Sequence, residues 1–225
     1  MDKIEFHIQP SSGSPDHEVR ILVNGIDIIP DKMLGLDPVD GWEESLLGQE
    51  ALTSPGELIY ARCSCGVVGC GSDAVDVTRS ESAVTWTFKW TSKKSFTFDA
   101  RQYDSAIAEL KSDFGWETPE RTAERLIKNL DFNRFLAQGL ELEWVSGRTE
   151  NKITLSFDLQ EGETKYQVLC HARWENHEAP NEAVSAIEKV LKDAPKNWPD
   201  VEYLFQSQVR TRPTLAGPGW REYRA

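Results

Sequence analysis

Long apolar runs are missing from this chain. Nowhere do about 18 apolar residues follow one another, so no segment reads as a membrane-crossing helix. The start, Met1-Asp2-Lys3-Ile4-Glu5, has none of the apolar stretch that a secretory leader needs. A cytoplasmic location is therefore expected, where four cysteines serve as free thiols or metal ligands sooner than as a disulfide framework. Positive charge is also scarce, with 25 Lys and Arg against 37 Asp and Glu and a net charge of -12. That balance opposes the phosphate backbone and anionic lipid, so neither nucleic acid nor membrane is expected as a partner. A basic protein is the natural kind of partner, although the same acidity also serves solubility alone. Catalytic signatures are absent as well: there is no glycine-rich phosphate loop, no HExxH and no G-x-S-x-G.

What is present supports a packed α+β protein. The 225 residues include 39% hydrophobic and 10% aromatic residues with eight tryptophans, enough to build a core that needs no covalent staples. Period-2 alternation marks strands at Ile4-Phe6-Ile8, at Val84-Trp86-Phe88-Trp90 and at Ile153 to Leu159 facing Tyr166 to Trp174 across a turn near Glu161-Gly162. Asn24-Gly25 between Val19–Val23 and Ile26–Ile29 predicts a tight hairpin, since both central positions must take positive φ. Helical spacing appears over Asp99 to Trp116, with Tyr103, Ala106, Ile107, Leu110 and Phe114 on one stripe, and again after Thr118-Pro119 and over Pro180 to Asp193. Residues 30–56 are irregular, with a helical turn expected around Trp42 to Leu47. A connection this long covers a core or lines a site.

These elements predict antiparallel hairpins packed by amphipathic helices, in one domain over residues 1–209 with a sub-division admitted near 117–140. Residues 210–225, with Pro213, Gly217, Pro218 and Gly219, predict an extended tail. Ser105-Ala106-Ile107 running to Trp116 is similar to Ser185-Ala186-Ile187 running to Trp198. Either two related hairpin-plus-helix halves or two unrelated amphipathic helices would give that pattern.

The most unusual segment is Arg62 to Gly71, R-C-S-C-G-V-V-G-C-G. On an extended backbone Cys63 and Cys65 point the same way, and a turn at Gly66 to Gly69 could return Cys70 to them. Three converging thiolates suit zinc, with Cys170, or His171 if the backbone turns there, as the fourth ligand. Two other readings stay open: small buried hydrophobes, and a redox or nucleophilic thiol, for which Arg62 is the single adjacent cation.

The run Cys63-Ser64-Cys65-Gly66-x-x-Gly69-Cys70, preceded by Val23-Asn24-Gly25 and followed by Val75-Asp76-Val77 and Val84-Thr85-Trp86, resembles a motif of uncharacterised bacterial hypothetical proteins. The resemblance covers about the first hundred residues and implies a bacterial cytosolic origin. It carries over no activity and no functional residues.

Lesser constellations are Glu141 with Glu143 on one strand face and the loop Trp174-Glu175-Asn176-His177-Glu178. His7 and His17 are expected at the surface. Three functions fit these features. The first is a non-enzymatic protein-interaction module of the immunity or antitoxin kind. The second is a zinc-stabilised domain, and the third an enzyme whose pocket lies between residues 30–56 and the cysteine turn.

Overall fold

A computed structural model describes residues 1–12, 17–39, 45–65, 70–89, 94–176, 178–208 and 210–223. The chain is α+β, with antiparallel sheets and helices, and it divides into two compact units, Met1–Trp116 and Glu117–Ala225. The boundary falls at the near edge of the expected 117–140 sub-division, so the single 1–209 domain becomes two bodies. The physical reason is that each set of strands and helices closes a core of its own, one drawn from Ile4 to Leu110 and the other from Ala123 to Trp220.

In the first unit, β1 (Ile4–Pro10) pairs antiparallel with β2 (His17–Val23), and Asn24 and Gly25 turn the chain with φ of 54° and 78° into β3 (Ile26–Asp27). The Asn-Gly turn forms as its sequence predicts. Its second arm is short, and Ile26 is exposed. A five-stranded antiparallel sheet follows in the order β4 (Met33–Gly35), β5 (Gly56–Cys63), β6 (Ser72–Arg79), β7 (Ala83–Phe88) and β8 (Ser95–Asp99). The alternation on β7 puts Val84, Trp86 and Phe88 inside, whereas Trp90 lies outside the described residues. Each large ring removed from water is worth about 2–3 kcal/mol, which fixes the register of the strand.

Helix α1 (Ala100–Ser112) starts where Asp99 accepts from the N–H groups of Arg101 and Gln102, satisfying two of the free amides of the first turn. Its stripe Tyr103, Ala106, Ile107 and Leu110 is buried, and Tyr103 donates to the Leu52 carbonyl at 3.0 Å. Phe114 is not part of that stripe. The helix stops at Ser112, Asp113 accepts from the Gly115 N–H at 2.9 Å, and Phe114 is left exposed.

The long connection covers the core. Leu34, Leu36, Leu46 and Leu52 are buried, and Gly35 runs so close to β2 that a Cβ there would sit 2.1 Å from the Val19 carbonyl oxygen. Trp42 lies outside the described residues, and Ser45 to Leu47 are not helical.

In the second unit, α2 (Pro119–Lys128) begins with Thr118 accepting from the Arg121 N–H and Pro119 in the first turn, as expected. The short α3 (Asn133–Leu136) follows. The sheet then runs β13 (Trp220–Glu222), β12 (Val201–Phe205), β11 (Thr164–Arg173), β10 (Lys152–Glu161), β9 (Leu140–Ser146), with α4 (Pro180–Leu191) between β11 and β12 in sequence. The β10–β11 hairpin turns at Gly162, φ 60°, as the sequence predicts, and β9 begins at Leu140.

Residues 210–223 include a short paired strand. β13 pairs parallel with β12, and Trp220 is buried, stacked 6.4 Å from Trp198 with its indole N–H on the Pro195 carbonyl. The similarity of the two helices goes no further than their pattern. α1 follows the edge strand β8 and ends near a half-buried Trp116, whereas α4 leads back into its own sheet past the fully buried Trp198.

Candidate metal centre

Pairing of β5 with β6 sets the site. Arg62 stands opposite Ser72, and the Cys63 N–H donates to the Gly71 carbonyl at 2.8 Å, so the strands are still held together one residue beyond that pair. β5 ends at Cys63, and Ser64 and Cys65 enter a turn. The expected glycine turn, residues 66–69, lies outside the described residues. Cys70 comes back beside the strand end, and the sulfur atoms of Cys63, Cys65 and Cys70 all lie within 4.8 Å of one another. Cys63 is half-buried, and Cys65 and Cys70 are exposed.

Zinc–thiolate bonds of about 2.3 Å in a tetrahedron put sulfur atoms ~3.8 Å apart. The three thiols therefore need about 1 Å of closure, within reach of χ1 adjustment in exposed side chains. Charge favours the same outcome. Hydrogen bonding to Cys65 and then to Cys63, with the charge of both neighbours added, pushes the Cys70 thiol up to about 11. With the Cys70 thiol held up in this way, a divalent cation is what would draw its proton off. No histidine or carboxylate belongs to the group among the described residues, and the Nε of neighbouring Arg62 is buried without a hydrogen-bond partner. The arrangement has three ligand atoms in place, and among the described residues the group holds no side chain of the kind that acts as a base towards a thiol.

The structure brings three of the four expected ligands together. Cys170 is placed elsewhere: it is wholly buried in the second unit's core, opposite Leu155 on β10 and Val201 on β12, and burial drives its thiol pKa upward. His171 is turned to the other side of β11, where its Nδ1 meets Thr154 Oγ1 at 3.0 Å and its Nε2 lies 3.6 Å from Glu202 Oε2. Regular alternation on β11 keeps these neighbours on opposite faces.

That second face carries a polar row the sequence did not disclose. Thr154, His171 and Glu202 sit on three adjacent strands, and Arg221 on a fourth pairs with Glu202 and with Asp200, each at 2.8 Å. Burial, with the charge of Lys152 adding to it, lowers the His171 pKa against the opposing pull of Asp200 and Glu202. The row needs strand order to be seen, and strand order is not written in any one segment.

Other expected features are quieter. Glu143 accepts from Ser156 and Gln167 at 3.0 and 3.3 Å, while Glu141 stands opposite Asp158. His177 lies outside the described residues. His7 is exposed on β1, and His17, the first residue of β2, packs 5.5 Å from Trp116. Among the described residues no helix is long and apolar enough to cross a membrane. Comparison with family models, with curated proteins and with solved structures finds no match.

Proposed function

We propose that the protein binds zinc at the end of the β5–β6 hairpin through Cys63, Cys65 and Cys70, and that the ion closes the loop between the strands. The observation that carries this reading is the convergence of three sulfur atoms within 4.8 Å. Soft thiolates select zinc among the abundant divalent ions, and all three ligands come from one hairpin, so binding would tie Cys70 to the end of β5. Exposure of Cys65 and Cys70 leaves the fourth coordination position towards solvent.

Metal analysis of protein prepared without a histidine tag tests it, with about one zinc per chain expected. Cobalt(II) in its place would show thiolate charge transfer and the visible bands of a tetrahedral site. Substoichiometric zinc, together with unchanged stability of Cys65→Ser, would remove this reading.

A further inference from the structure

Between β1 and α1, wholly inside the first unit, lies a cavity of about 570 Å³. Its floor is apolar, made by Ile4 and Phe6 of the strand and Ala106 and Leu110 of the helix. Beside this floor runs a strand edge with no strand partner among the described residues, β1 being paired with β2 on its other side.

The direction of that edge follows from its ends. Asn24 N–H donates to the Lys3 carbonyl, so odd-numbered residues direct their backbone groups towards β2. Asp2 N–H instead donates to the Thr97 carbonyl at 2.7 Å, and the Ile4 carbonyl accepts from Gln102 Nε2 at 2.9 Å, so even-numbered residues face away from β2. Backbone groups alternate along a strand, and Phe6 and Ile8 therefore present N–H and C=O outward in the same sense. No strand meets them among the described residues. Gln102 also keeps its Oε1 buried and without a partner, an acceptor left over beside that edge.

Charge decides what fits. Glu5, Glu109 and Asp113 line the groove, and Lys3 already pairs with Glu5 at 2.5 Å. The surplus is negative, in a chain whose net charge of -12 attracts cations at longer range and disfavours a second copy of itself. We infer that β1 binds an extended, lysine- or arginine-bearing segment of a partner protein by strand addition, its backbone on Phe6 and Ile8, its apolar side chains on the groove floor and its cations on the acidic rim. This inference stands apart from the thiol site and does not need it.

The test uses the whole chain and a labelled eight-residue peptide of alternating lysine and valine, followed by fluorescence anisotropy at low salt. Saturable binding is expected. Glu109→Lys combined with Asp113→Asn, which keeps an oxygen for the Gly115 N–H, should weaken it at least tenfold and leave zinc content unchanged. Methylating alternate peptide nitrogens should abolish binding, and the peptide should slow amide exchange at Phe6 and Ile8. Equal affinity for a glutamate–valine peptide, retained binding of the methylated peptide, unchanged exchange at Phe6 and Ile8, or a chain that dimerises through β1 would each overturn the inference. Failure here with zinc still bound would leave the metal reading standing.

Discussion

Cys63, Cys65 and Cys70 stand where a hairpin of the first unit runs out of partners, whereas Cys170 sits mid-strand in the second with a neighbour on either side and no exposure. The same side chain becomes a potential ligand in one place and packing in the other. What separates the two is whether the ladder continues past it, because a continuing ladder buries one side chain in two and a terminating one releases it to turn. Tryptophan follows the same logic: Trp116 lies beyond the end of α1 and stays half-buried, while Trp198, reached on the way back into a sheet, is enclosed by Phe135, Phe157 and Trp220. Buried glutamate shows the units agreeing. Glu18 accepts from the Gly35 N–H at 3.1 Å with Arg20 beside it, and Glu124 accepts from the Gly147 N–H at 3.0 Å with Arg121 beside it. In each unit a carboxylate satisfies the amide of a glycine in close quarters: a Cβ at Gly35 would overlap the Val19 carbonyl oxygen at 2.1 Å, and one at Gly147 would press on the Trp174 ring at 3.0 Å.

The contrast between the tryptophans gives the largest expected effect. Trp198→Ala should cost about 3–5 kcal/mol in urea unfolding and Trp116→Ala about 1 kcal/mol or less. Equal losses would break the distinction. The parallel between the glutamates comes next: Glu18→Ala and Glu124→Ala should each destabilise by about 1–3 kcal/mol, because each strands a buried amide. A neutral result in one unit would end that parallel. Among the thiols, Cys170→Ala should cost about 1–2 kcal/mol and leave zinc content unchanged, whereas Cys70→Ser should release the metal. Alkylation of folded, metal-free protein followed by mass spectrometry should label Cys63, Cys65 and Cys70 and spare Cys170 until the chain unfolds.

The smallest effect is a pH dependence. His171 has a lowered pKa in the folded state, so folding binds fewer protons there than the unfolded chain does. Its contribution is fully present above the unfolded value of about 6.5 and is lost as pH falls through the lower folded value. Unfolding measured from pH 7 to 5 should therefore slope more steeply in the parent than in His171→Gln. Parallel slopes would mean that Glu202 compensates the proton completely.

Local chemistry was legible in the sequence. The Asn24-Gly25 turn, the Thr118 cap, the Val84-Trp86-Phe88 alternation and the approach of Cys70 to Cys63 and Cys65 depend on a few neighbouring residues, and those residues carry the signal. Features made by distant pairing were not. Cys170 has the same chemistry as the other cysteines, and nothing in its own segment tells that β12 will cover it. Phe114 fits the helical stripe, but the stop after Ser112 follows from the tight turn that Asp113 makes with Gly115. The groove along β1 appears only once α1 is laid against a strand about a hundred residues earlier in the chain.

Trp220 has a temporal consequence. Until Trp220 is in place, the second unit has strands β9 to β12 in hand and Phe135 and Phe157 against Trp198, but it lacks the ring that stacks on the indole's remaining side, and the outer side of β12 is bare. A nascent chain in that interval offers both a greasy face and an open edge, the two features that recruit chaperones or invite mispairing. A chain cut short before Trp220 would keep that edge and that indole face uncovered.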